Sequence, residues 1–117
     1  MGSRLNSDRS SDEAKRRRKQ AGMYLKNLRN HTGMTQKELA HKVGLEYYTF
    51  VSQIENGSGR VPVELYGNFA KAYEVDTQAF ARFLIRLYDP ALYTWLFYHS
   101  QEQSIEDQYL ALIAKSE

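Results

Sequence analysis

The stretch TQKELAHKVGLEYYTFVSQIENGSGR, residues 35–60, decides the fold. Thr35 followed three residues later by Glu38 has the form of a capping box, in which each side chain satisfies the other residue's backbone N–H at the start of a helix. Leu39, Ala40 and Val43 then give that helix one buried face, and Gly44 supplies the left-handed residue that closes it. A second helix is predicted from about Glu46 to Asn56, with Phe50, Val51 and Ile54 inward. Tyr48, Thr49, Ser52 and Gln53 are left facing out. Gly57, Ser58 and Gly59 read as a loop beyond it.

Upstream, residues 1–11 are rich in Ser, Asn, Asp and Arg, with only Met1 and Leu5 as sizeable apolar groups. Such a segment cannot bury enough surface to order itself, so a flexible arm is expected. Ser11 or Asp12 can cap a helix that Gly33 stops, with Ala21, Tyr24, Leu25 and Leu28 inward. Gly22 weakens that run by about 1 kcal/mol relative to Ala and marks a point where it could break. Downstream, Pro62 suits the start of a helix reaching about Tyr73, with Leu65, Phe69 and Ala72 in its core. Asp76 and Thr77 cap a further helix through Phe80, Phe83, Leu84 and Leu87, and Asp89-Pro90 forces a corner. An aromatic helix carrying Leu92, Tyr93, Trp95, Leu96, Phe97 and Tyr98 follows. A polar break from His99 to Gln103 precedes a last helix capped by Ser104. No alternating strand pattern and no internal repeat occurs. The fold class is all-α: a bundle of about five helices with one or two added at the C-terminal end. Three parts are expected, an arm over 1–11, a core over 12–75 and a helical extension over 76–117.

A chain of 117 residues without cysteine excludes a disulfide scaffold or thiolate metal site and agrees with a reducing, cytoplasmic setting. His31, His41 and His99 have no ligand-like spacing, so no metal and no cofactor is expected. No apolar run approaches the roughly 20 residues that span a bilayer. No phosphate loop, nucleophile set beside a histidine or carboxylate cluster suggests catalysis, so no catalytic residue is assigned and an enzyme is disfavoured. The net charge of +2 conceals polarity: residues 1–44 carry eleven Lys and Arg against four acids, while residues 101–117 hold four acids against Lys115. A basic front of this kind fits a polyanion.

On Thr35-Gln36, Leu39-Ala40, Gly44 and Ser52-Gln53-Ile54-Glu55-Asn56-Gly57, with Arg60 beyond, the chain resembles the phage-repressor and Cro type of helix-turn-helix, often called XRE-like, over residues 21–75. The resemblance implies a transcriptional regulator of the cytoplasm, nucleoid-associated or phage-encoded, whose partner is double-stranded DNA. It further implies that the second helix enters the major groove while the first crosses the backbone. Tyr48, Thr49, Ser52 and Gln53 are the base-reading candidates. Thr35, Gln36, Lys37, Tyr47, Asn56 and Arg60 are candidates for the sugar-phosphate chain, and Glu55 is expected to have an internal partner because a bare carboxylate would repel phosphate. Ten residues separate Gly44 from Glu55, one more than in the family pattern. Either the turn is enlarged or the second helix begins earlier.

The run Lys15-Arg16-Arg17-Arg18-Lys19 is a solvated helical face in most proteins. Beside this motif, Arg16, Arg17 and Arg18 read better as phosphate contacts, because each neutralised charge releases counterions. Tyr47 is either a core residue or a backbone contact. The aromatic region either closes the core or forms a dimer seam, for which Phe83, Leu87, Leu92, Tyr93, Trp95 and Leu96 are the candidates. The expected function is a sequence-specific regulator, a repressor rather than an activator, bound as a homodimer to a pseudo-palindromic operator. The alternative is an antitoxin or adaptor that keeps the fold and holds a protein partner. Nothing in the residues identifies a small-molecule effector.

Overall fold

The computed structural model describes residues 2–97 and 105–116. They form α1 (Gly2–Thr32), α2 (Gln36–Val43), α3 (Tyr48–Asn56), a 3-10 turn (Val63–Leu65), α4 (Tyr66–Tyr73), α5 (Thr77–Tyr88), α6 (Pro90–Phe97) and α7 (Ile105–Ser116). No strand occurs among the described residues. The fold is all-α, as the periodicity and caps predict. The expected features at Tyr98, His99 to Gln103 and Ser104 lie outside the described residues.

α1 differs from expectation at both points where composition was the guide. It begins at Gly2, so Ser11 and Asp12 lie inside the helix rather than at its cap, and the segment read as an arm is helical. Nucleation is the costly step in helix formation, and a packed segment from Ala21 onward lets the helix propagate backwards at little further cost. Nor does Gly22 break it. A Cβ there would sit 2.8 Å from the Ile54 carbonyl oxygen and closer still to that of Glu55, so glycine is the residue that lets α1 cross the end of α3 backbone to backbone. Gly33, at φ +77°, ends the helix as expected.

The core is continuous from α1 to α5. Ala21 and Leu25 of α1, Leu39, Ala40 and Val43 of α2, and Val51 and Ile54 of α3 are buried with Phe69, Tyr73, Phe80, Leu84 and Leu87. Each large apolar side chain so placed contributes roughly 1.5–3 kcal/mol relative to exposure. α5 therefore packs in the same core as the helices before it, and the boundary expected at residue 75 falls within that core. Asp76 caps α5 through Ala79 N–H at 2.9 Å. The fourth helix starts later than Pro62: residues 63–65 form the 3-10 turn and α4 begins at Tyr66, with Leu65 half-buried.

Candidate nucleic-acid interface

The first motif helix is held at both ends by the predicted devices. Glu38 N–H donates to Thr35 Oγ1 at 3.1 Å, and Thr35 N–H donates to Glu38 Oε1 at 3.2 Å. Gly44 adopts φ +84°, and Leu45 N–H returns to the Ala40 carbonyl at 2.9 Å. Asn68 of α4 donates to the Val43 carbonyl at 3.2 Å, fixing the end of α2 against the next layer. Leu45, Glu46 and Tyr47 then form the turn, and α3 begins only at Tyr48. The extra residue enlarges the turn; it does not lengthen the second helix, which starts two residues later than the periodicity predicts.

The outward face of α3 carries the expected side chains. Tyr48, Thr49 and Gln53 are exposed and Ser52 is half-buried. Lys37 Nζ lies 5.3 Å from the Tyr48 ring centroid, which brings the first turn of α2 and the first turn of α3 onto one surface. Tyr47 is exposed, which removes its core reading. Phe50, expected inward, is 45 % exposed, and its ring lies 6.2 Å from that of Tyr47. The buried stripe of α3 is Val51, Ile54 and Glu55, so it is rotated towards the carboxylate and leaves Phe50 outside. Sequence reasoning missed Phe50 because it centred the stripe on apolar residues alone.

Glu55 earns its buried position through an internal partner, as repulsion from phosphate predicts. Arg29 donates to it twice, Nε to Oε2 at 2.7 Å and Nη2 to Oε1 at 3.0 Å, and a third guanidinium hydrogen bond reaches the Met34 carbonyl at 2.9 Å. Hydrogen bonding to Glu55 raises the Arg29 pKa further above its ordinary value. Gln36, a candidate for the sugar-phosphate chain, donates its Nε2 to Glu55 Oε1 at 3.1 Å. α1, α2 and α3 are thus joined by one polar cluster beneath the exposed face. Arg29 had no sequence signal beyond an arginine near the end of α1.

Beyond α3 the chain is equally constrained. Gly57 takes φ +86° with Lys19 of α1 packed directly over it. Asn56 Oδ1 accepts from Ser58 N–H at 2.8 Å and from Ser58 Oγ at 2.6 Å. The three expected arginines of α1 part company here. Arg17 Nε donates to the Leu87 carbonyl at the end of α5 at 3.1 Å, and Arg18 Nε donates to the Gly57 carbonyl at 3.4 Å. Arg16 is exposed. Arg60, expected along the sugar-phosphate chain, pairs with Asp89 at 2.7 Å and lies 4.6 Å from the Tyr88 ring centroid. The pair, partly exposed on both sides, ties the loop after α3 to the α5–α6 corner.

The six seam candidates divide as well. Leu87 is buried, and Phe83 stacks on Tyr24 with centroids 4.1 Å apart, so both serve the core of their own chain. Tyr93 is half-buried against Phe97, their centroids 5.2 Å apart. Leu92, Trp95 and Leu96 are exposed, Trp95 at 76 %.

No described helix is long and apolar enough to cross a membrane. Comparison with curated proteins finds no match. A family model described as a helix-turn-helix domain matches residues 15–83, which takes in the Lys15 to Lys19 run, both motif helices and most of α5. With more than half its length so matched, and with the capped first helix, glycine turn and exposed second helix in place, the chain belongs to the helix-turn-helix domain family of DNA-binding regulators.

Proposed function

We propose that the chain is a sequence-specific repressor that binds double-stranded DNA as a homodimer. The observation that carries the reading is the exposed face of α3, where Tyr48, Thr49, Ser52 and Gln53 stand above a cluster that fixes the helix from below. A face held this rigidly can present hydrogen-bonding groups to base edges, with Gln53 suited to adenine and Phe50 and Tyr48 to a thymine methyl group. Thr35, Lys37, Tyr47 and Asn56 flank it as phosphate contacts, and Gln36 acts by holding Glu55. Repression requires only that the bound protein occupy a promoter.

The dimer rests on the apolar groups that the core leaves uncovered. Leu92, Trp95, Leu96 and Phe97 of α6, with Tyr109, Leu110 and Leu112 of α7, are exposed. Large aromatic groups are the usual anchors of protein interfaces, and a second copy would set two recognition helices about 34 Å apart across a pseudo-palindrome. The same exposed groups favour one other reading, an antitoxin or adaptor whose aromatic helices hold a different protein.

A mobility-shift series tests the assignment. Ser52→Ala and Gln53→Ala are expected to reduce discrimination between a selected site and random duplex by roughly 1–3 kcal/mol per lost base contact. Lys37→Gln should weaken all duplexes alike. If both kinds of variant behave identically, the division into reading and anchoring residues fails. A strictly monomeric species by light scattering at micromolar concentration would sink the homodimer, and co-purification of a partner with only non-specific DNA affinity would favour the adaptor.

A further inference from the structure

Between α1 and the loop that ends the recognition helix lies an open hollow lined by Asp12, Lys15, Arg16, Arg18, Lys19, Asn56, Gly57 and Ser58. Four cations thus face one carboxylate. Among the described residues, Lys15, Arg16 and Lys19 have no salt-bridge partner. Arg18 reaches the Gly57 carbonyl, which anchors the helix to the loop and fixes the shape of the wall. Asn56 is oriented too: its Oδ1 accepts both hydrogen bonds from Ser58, and among the described residues its amide N–H groups have no acceptor. The backbone N–H groups of Gly57, Ser58 and Gly59 are all committed to carbonyls of α3. Donors to an anion here must therefore be side chains.

We propose that this hollow is a seat for a backbone phosphate of duplex DNA, lying past the end of the recognition helix and filled by Lys15, Arg16, Lys19 and the Asn56 amide. The inference deepens the DNA-binding reading and rests on it. Its chemistry is that of an ion cradle without base specificity: flexible ammonium groups and a planar guanidinium neutralise the phosphodiester, and the amide supplies a directed donor. Because Lys19 packs over Gly57, the seat is joined directly to the end of α3, so a phosphate held there adds sequence-independent affinity beside the recognition helix without touching a base. The helical stretch before Gly22 thereby becomes part of the contact surface.

The test compares the wild-type chain with an Arg16→Gln/Lys19→Gln variant on a selected duplex and on a random duplex of equal length, over a salt series. Each lost phosphate contact lowers the slope of log K against log salt by about 0.9, so the double variant should lose about 2 from the slope on both duplexes while the ratio of their affinities stays unchanged. Asp12→Asn should bind both duplexes more tightly than wild type, which keeps the proposal testable should the double variant fail to fold. An unchanged slope in a folded double variant, or a changed affinity ratio, would overturn the seat while leaving the DNA reading intact. Absence of salt-dependent DNA binding by the wild-type chain would overturn both.

Discussion

Glu55→Ala removes the carboxylate on which three helices converge. The side chains of Arg29 and Glu55 are only 11 % and 4 % exposed. In the variant, Arg29 loses its bonds at 2.7 and 3.0 Å and keeps one to the Met34 carbonyl, while Gln36 loses its acceptor. A guanidinium cannot escape by deprotonating, so the charge stays buried and unpaired. Breaking such a pair from one side costs about 3–5 kcal/mol, a large part of the roughly 5–15 kcal/mol that stabilises a typical domain. Urea titration followed by helical circular dichroism should show the midpoint falling with little change in slope. The double variant Arg29→Met/Glu55→Met should recover most of the loss, since no buried charge remains. A loss below about 1 kcal/mol in Glu55→Ala would refute the reasoning. A double variant as unstable as the single would show that shape, not charge, sets the cost.

Gly22→Ala should destabilise despite alanine's better helix propensity, by about 1–3 kcal/mol as in other overpacked cores, because the new Cβ meets the carbonyls of Ile54 and Glu55; thermal denaturation above the wild-type midpoint would contradict this. Burial raises the hydroxyl pKa of Tyr66, Tyr73 and Tyr88. Below about pH 10 both folded and unfolded tyrosines are neutral and pH has no effect through them; above it the unfolded chain ionises first, so stability falls by up to about 1.4 kcal/mol per pH unit for each one. Tyr73→Phe should make that alkaline decline shallower and cost little at neutral pH, since the buried Tyr73 hydroxyl has no hydrogen-bond partner among the described residues; urea midpoints across the pH series decide it. Asp89→Asn should cost less than about 1 kcal/mol, because the Arg60 pair is partly exposed, yet it should tighten DNA binding at low salt by unmasking the guanidinium; an unchanged affinity would place Arg60 away from the DNA.

What could be read in the sequence was whatever short-range chemistry determines. The Thr35–Glu38 capping box, the left-handed Gly44, the Asp76 cap and the Asp89-Pro90 corner each depend on residues within a few positions of one another, and each is where the pattern put it. What escaped depends on partners far along the chain. Gly22 is explained only by α3 passing over it, and the identity of the internal partner expected for Glu55 only by Arg29, 26 residues earlier. Phe50 lies outside the stripe for the same reason: a buried ion pair, not an apolar group, completes the inner face of α3. For Arg17 and Arg60 the pattern offers only a charge; folding adds a carbonyl and a carboxylate at the end of α5 as internal partners. Phe83 and Leu87 are seam candidates in the sequence because the expected core ends at residue 75; the core continues through Tyr88.

Selection of duplexes from a random pool, run in parallel with the wild-type chain and with Gln53→Ala, bears most directly on the claim that the exposed face of α3 reads DNA sequence. The wild-type chain should enrich a pseudo-palindromic motif with half-sites one helical turn apart, and Gln53→Ala should relax the motif at one position in each half while the rest persists. Salt-dependent binding that enriches no motif, or a motif unaltered by Gln53→Ala, would contradict it.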